Sequence, residues 1–350
     1  MAVAPMEETM STWRVTALFA FLLLPFLATA KDLDRDRLNP VLGSILKVEV
    51  VTTSGGYSLG TAVSIAPGKF VTSCHVTARA EKIALLAEGS RWPAVGEMSN
   101  TEYDLCVLNV PSLTHIAPVH LRSARELRVG QAVAALGYTF GAGLAGQSGS
   151  IRALHPLNGS LVIQSTTPFN SGASGGGLFD ENGALVGILT FRLPGAEAYY
   201  FSMPIDWISD SIDKADAYGE IAPLQGPRPF WAHPIESLPY FMRATSLEAN
   251  QDWESLIKLT EQWALADEKN AEPWFMRGTA YSRIDRNDAS IKAYRTALER
   301  DPKFALAWFN LGEAYFRRGD RSEVARVLAE LKPLDPDLAD DLAVKSGTAR

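Results

Sequence analysis

Between about residues 41 and 212 the apolar positions fall in short runs rich in Val, Ile, Leu and Ala, broken by Gly, Pro, Asn and Ser. Examples are SILKVEVVTT, GTAVSIA, KFVTSC, KIALLAE, DLCVLNV, QAVAALGY, SLVIQST, ALVGILTF and YYFSMPI. At least nine such segments at this spacing predict strands of an all-β sandwich or a pair of barrels. No amphipathic segment of crossover length lies between them, which argues against a parallel α/β sheet. From about 216 to 239 the pattern is lost. The stretch APLQGPRPFWAHP is proline-rich and aperiodic, so it reads as a linker or a packed strap.

From residue 240 the period becomes helical and the sequence repeats itself. PWFMRGTAYSRIDRNDASIKAYRTALERDP and AWFNLGEAYFRRGDRSEVARVLAELKPLDP align at an offset of 34 residues, Trp274 to Trp308. Phe275/Phe309, Gly278/Gly312, Tyr281/Tyr315, Asp301/Asp335 and Pro302/Pro336 match at the same offset. A weaker copy lies one period upstream, with Tyr240, Ala244 and Asp267 at the corresponding places. The pattern resembles the tetratricopeptide repeat: large residues opening the first helix, a small one where two helices pack, and a proline closing the second. About three repeats imply a small all-α solenoid with an atypical first unit. The expected organisation is an export signal at 1–30, a β domain at 41–215, a linker at 216–239 and repeats at 240–340.

Composition fits folded domains. The 350 residues are 47% hydrophobic and 21% charged, which excludes wholesale disorder. A net charge of −7 without a long basic run argues against nucleic acid as a partner. At the N-terminus Arg14 precedes the apolar run VTALFAFLLLPFL, and Ala-Thr-Ala follows at 28–30. These are the parts of a cleavable signal peptide; the run is short for a bilayer span and contains Pro25. Glu7 and Glu8 are unusual before such a core, so translation from Met10 is an alternative start. The mature protein is expected to be exported, periplasmic or secreted, with no stable membrane span.

One glycine-rich loop sits among the strands, PFNSGASGGGLFDENG, with serines at 171 and 174. It is either a loose hairpin turn or a backbone that must adopt shapes only glycine tolerates. A serine hydroxyl becomes a nucleophile when a base takes its proton and donors stabilise the oxyanion. Of the five histidines, His75 follows a strand, a Pro-Gly turn and a second strand, whereas His115, His120 and His155 lie in loop-like contexts and His233 in the linker. Asp104 opens the apolar segment DLCVLNV, 29 residues after His75, and an acid entering a buried strand needs a partner. The order His75, Asp104, Ser174 is that of the chymotrypsin-type triad. It also excludes an α/β hydrolase, in which the serine comes first.

With these residues in place, 55–212 resembles the bacterial trypsin-like serine peptidases, nearest to the periplasmic Deg type. The family's Gly-Asn-Ser-Gly-Gly-x-Leu-x-Asp stretch matches Gly172 to Asp180, its following strand matches 183–188, and its closing aliphatic-Pro pair matches Met203-Pro204. The resemblance implies two six-stranded barrels with the site in the cleft between them. It implies an oxyanion hole made by the backbone N–H groups of Gly172 and Ser174, and a specificity pocket walled by 167–170, 189–192 and 199–202. Ala173 stands where digestive proteases carry the Asp that binds a freed N-terminus, so activation of that kind is not implied. Pro168 near the pocket base gives no reason to expect Arg or Lys specificity. Tetratricopeptide repeats replace the peptide-binding domain that Deg proteases carry.

If His75 and Asp104 are within hydrogen-bond reach, Cys74 and Cys106 come near enough to bridge; otherwise they are two small buried residues beside the site. Neither cysteine reads as a nucleophile, and no metal or other cofactor is expected. In the repeats Trp274, Trp308 and Tyr281 read as core, while Arg277, Asn310 and Arg317 are candidate groove residues for a protein partner. The expected function is that of an exported serine endopeptidase acting on protein or peptide substrates, its repeats recruiting a partner or substrate. The alternative is a scaffold protein that keeps a protease-like domain without useful turnover.

Overall fold

The structure is a computed structural model, which describes residues 35–139, 143–193, 199–212, 214 and 217–348. The expected export signal at 1–30 lies outside the described residues. A first helix, α1 (Arg35–Leu42), leads into seven strands: β1 (Ile45–Thr52), β2 (Tyr57–Ala66), β3 (Lys69–Ser73), β4 (Ala80–Ala87), β5 (Ser90–Pro93), β6 (Gly96–Asn100) and β7 (Leu105–Asn109). A one-turn helix, α2 (Cys74–Thr77), separates β3 from β4. Six more strands follow: β8 (Ala132–Tyr138), β9 (Leu144–Leu157), β10 (Ser160–Ser165), β11 (Gly177–Asp180), β12 (Leu185–Leu193) and β13 (Tyr199–Pro204). All nine segments read from the sequence are strands; β5, β6, β9 and β11 are additional. β5, β6 and β11 are short, and β9 carries Gly, Ser, Arg and His instead of an apolar run, so periodicity does not reveal them.

The second set closes as a six-stranded barrel in the order β10-β13-β12-β11-β8-β9. The first is a seven-stranded sheet, β5-β4-β1-β2-β3-β7-β6, where six strands were expected. It curls until its ends meet in the loop between β5 and β6: the N–H of Ala94 donates to Ile83 of β4, and that of Val95 to Asn109 of β7. Each layer has an apolar filling of its own. A third cluster runs from Val63, Val71 and Leu105 of the sheet through Leu136, Phe179 and Leu185 of the barrel.

The C-terminal part is helical: α3 (Tyr240–Ala249), α4 (Trp253–Ala266), α5 (Glu272–Arg283), α6 (Asn287–Arg300), α7 (Ala305–Arg318), α8 (Arg321–Leu331) and α9 (Pro336–Lys345). These form three helix pairs and a final helix. The aligned small residues sit where helices touch. A Cβ on Gly278 would enter the Tyr294 ring, and one on Gly312 would strike Leu342 and Val327. Ala244, their counterpart in the first pair, is fully buried. Asp252 and Asp335 cap α4 and α9 by accepting from the N–H of Ser255 and Leu338. The first pair packs on the barrel: Phe241, Met242 and Trp263 belong to the same apolar cluster as Phe201 and Ile205.

The proline-rich stretch between the two parts is a strap fixed to the first sheet. Gly219 pairs with Glu97, the N–H of Leu224 donates to Ala78 at 3.0 Å, and that of Phe230 to Glu102 at 3.0 Å.

Candidate active site

His75 and Asp104 are brought together by two short departures from the sheet. The Pro-Gly turn, with Gly68 at φ +71°, folds β3 back on β2. β3 then ends in the single turn α2, which lifts His75 out of the ladder. Asp104 precedes β7, the strand next to β3, in the left-handed region at φ +58°, a conformation that Asp tolerates better than most residues. Both of its oxygens are used. Oδ1 accepts the backbone N–H of His75 at 2.7 Å and Oδ2 lies 2.6 Å from His75 Nδ1. Asp104 is fully buried, while the His75 side chain remains 33% exposed. The carboxylate therefore fixes the ring orientation and leaves Nε2 as the nitrogen available for proton transfer. Cys74 and Cys106, which flank this pair, are joined by a disulfide.

The Ser174 loop belongs to the barrel and docks on the sheet. The N–H of Thr61 donates to the Ser174 carbonyl at 2.9 Å, and Thr61 Oγ1 donates to the Gly172 carbonyl at 2.8 Å. Ser73, two residues before His75, donates through Oγ to the carbonyl of Leu189. The glycines here answer to close approach. A Cβ on Gly175, at φ +83°, would enter the Thr61 carbonyl oxygen and Thr72 Oγ1. Gly172 adopts φ +94°. Among the described residues neither the Gly172 N–H nor the Ser174 N–H donates to a protein acceptor, so both are available to an incoming oxyanion. Ser174 Oγ makes no hydrogen bond to His75 among the described residues; such bonds tighten when substrate is bound. Ser171 is exposed beside the loop.

Ala173 is buried among Val133, Ala135, Ile151 and Leu178, and Gly137 approaches it closely. That environment suits a methyl group. On this side of the loop lies a cavity of about 190 Å³, lined by Gly137, Gln147, Phe169 and Ala173 among others. Of the expected pocket walls, Phe169 and Tyr200 meet with ring centroids 5.2 Å apart, Thr167 and Ser202 are buried, and none of the three segments carries an acid.

One buried acid stands behind α2. Glu97 on β6 accepts from Thr77 Oγ1 at 2.6 Å, while its second oxygen is buried without a partner among the described residues. Burial raises its pKa to about 7, against the lowering effect of the Thr77 bond.

One expectation needs correction. His155 is not in a loop: it lies on β9, 2% exposed, with Nδ1 2.5 Å from Glu272 of α5 and Nε2 2.8 Å from Gln164. The candidate groove residues make helix contacts, and Arg317 is also exposed. Arg277 donates to Thr260 and lies over the Trp274 ring, Asn310 donates to Tyr294, and Arg317 to Ser282. Burial lowers the Arg277 pKa.

The residue that sequence reasoning missed is Trp231, on the strap. Its ring lies edge-on to His75 with centroids 5.8 Å apart, and stacks on Phe191 of β12 at 5.0 Å. No periodicity marks it, because it belongs to the aperiodic stretch. Among the described residues no group of three His, Cys, Asp or Glu side chains is arranged to hold a metal, and no helix is long and apolar enough to cross a membrane.

Residues 60–188 match the trypsin-like peptidase domain, and residues 275–339 match the tetratricopeptide repeat. The chain thus carries a trypsin-like peptidase domain followed by tetratricopeptide repeats. A probable periplasmic serine endoprotease, DegP-like, of Buchnera aphidicola is 30% identical over 44% of this chain and 35% of its own length. The periplasmic pH-dependent serine endoprotease DegQ of Escherichia coli is 29% identical over 47% of this chain and 38% of its own. The chain therefore spans little more than a third of these relatives. The HtrA-type protease AlgW, solved with a tripeptide, is 27% identical over 52% of this chain and 64% of its own, with a TM-score of 0.47.

Proposed function

We propose that the protein is an exported, periplasmic or secreted serine endopeptidase using Ser174, His75 and Asp104. Ser174 Oγ attacks the peptide carbonyl carbon while its proton passes to His75 Nε2. The resulting oxyanion is held by the N–H groups of Gly172 and Ser174. His75 gives the proton to the leaving amine as the C–N bond breaks, leaving an acyl group on Ser174. A water, deprotonated by the same nitrogen, releases the acid and restores the serine. Asp104 keeps the ring in the productive tautomer and stabilises its charged form.

The observation that carries this reading is the 2.6 Å contact between His75 Nδ1 and the fully buried Asp104, beside a serine loop whose two amides are free to bind an oxyanion. The serine-endoprotease names of the relatives support it. The pocket walls carry no acid and give no basis for a preference for Arg or Lys at the scissile position. The repeats supply a protein-binding module, and binding of a partner or substrate is their proposed role.

A fluorophosphonate probe tests the reading. The protein should label at Ser174 and cleave an unfolded protein, and Ser174→Ala should do neither while keeping its fold. Absence of labelling in the unsubstituted protein would instead establish a scaffold without turnover.

A further inference from the structure

We propose that Trp231, carried by the strap between the two parts of the chain, is a specificity-determining residue: it forms the wall of the subsite for the second residue on the acyl side of the scissile bond, and selects an apolar side chain there. This deepens the serine-endopeptidase reading above and rests on it.

The argument begins at strand β12. Up to Ile188 it is paired on both sides, with β11 and with β13. Beyond Leu189 it pairs with β13 alone, and its other edge meets no strand among the described residues. That open edge starts where Leu189 is bonded to Gly175 and Gly176, directly after Ser174. An extended peptide can add to it as a strand, with its scissile carbonyl at Ser174. Side chains of an extended strand alternate in direction. If the first acyl-side residue points down between Phe169, Thr190 and Tyr200, the second points the other way, toward His75 and Phe191.

On that side Phe191 and Phe201 are buried, and the half-buried Trp231 of the strap covers them. Phe201, Phe191 and Trp231 form a continuous stack, with centroid separations of 4.8 Å and 5.0 Å, and the Trp231 ring meets His75 edge-on at 86°. The strap is anchored immediately before this point, at Phe230, by its N–H on the Glu102 carbonyl and by its ring against Trp207. His75 keeps a third of its side chain open to solvent, so Trp231 stands beside the imidazole without covering it. A fixed aromatic plane next to an open histidine is a wall, and apolar area removed from water is what it offers a substrate.

The test uses the full chain and quenched peptides that differ only at the second acyl-side residue, leucine against glycine. The leucine-to-glycine ratio of kcat/KM should fall about tenfold in Trp231→Ala, the scale expected for loss of an apolar subsite contact. Trp231→Phe, which keeps an aromatic plane, should stay near the unsubstituted ratio, whereas Trp231→Gln, which removes the apolar face, should lower it as alanine does and carries the test if the alanine variant is unstable. An unchanged ratio would overturn the proposal. So would an equal rise in kcat/KM for every peptide, which would make the strap a lid. Failure of the underlying protease reading is distinguished by the fluorophosphonate probe, which would then label no variant.

Discussion

The His155 imidazole on β9 lies 2.5 Å from the Glu272 carboxylate at the start of α5, and both side chains are largely enclosed. The contact joins the barrel to the repeats across 117 residues of sequence. Phe241 of α3 stacks on the same imidazole at 4.3 Å, and Arg152 pairs with Glu248 nearby. The repeats are thereby seated on the barrel by a polar pair within an apolar contact.

Removing one partner of this pair leaves the other enclosed without compensation, which typically costs about 3 kcal/mol. Glu272→Ala should therefore lower the urea midpoint of the intact chain and speed proteolytic separation of barrel from repeats. Glu272→Gln, which can still accept the hydrogen bond, should lose less. Equal stability of the alanine variant would show that apolar contact alone seats the repeats.

Asp104 is expected to act through His75 alone. Asp104→Asn keeps the left-handed turn that Asn also tolerates. It presents an amide to Nδ1, however, and favours the wrong tautomer; in the handling of peptide substrates kcat should fall by roughly 10³ to 10⁴. The circular dichroism spectrum should be unchanged. A loss of tenfold or less would remove the carboxylate from the proposed mechanism.

Glu97 gives a pH dependence with a definite sign. Its pKa is raised by burial from the model-peptide range to about 7, so the folded protein holds a proton that the unfolded chain has lost. The stabilisation is complete below about pH 4.5 and disappears as pH rises through 7, a change of about 3 kcal/mol. Glu97→Gln, neutral throughout, should be insensitive to this step. The difference in unfolding free energy between the two proteins, followed from pH 5 to 8, reads it out; a constant difference would mean that Glu97 is ionised in the fold.

The Cys74–Cys106 disulfide closes a loop with a sequence separation of 32 and ties together the segments that hold His75 and Asp104. Its removal in a Cys74→Ala, Cys106→Ala double variant should cost about 3 to 4 kcal/mol. Reductant should lower the melting temperature of the unsubstituted protein and leave that of the variant unmoved.

Most of the architecture was legible because it is written in short-range patterns. Alternating apolar runs specify strands, the repeat at Trp274 and Trp308 specifies stacked helix pairs, and glycine at 175 specifies a close backbone approach. The His75, Asp104 and Ser174 segments were each recognisable from their immediate neighbours. β9 escaped because much of it faces the repeats and solvent, so polar residues occupy it. His155 escaped for the same reason: nothing near it in sequence shows that Glu272 will be its partner.

The sequence by itself determined the two fold types, their order along the chain and the candidate residues proposed for acyl transfer. Tertiary structure decided what surrounds them. It curled seven strands instead of six into the first layer, enclosed Glu97 behind α2, paired His155 with Glu272, and laid Trp231 beside His75. Local preferences act over a few residues and can be read in place. Burial and ring contacts depend on which distant segments meet, and that is settled only when the whole chain has packed.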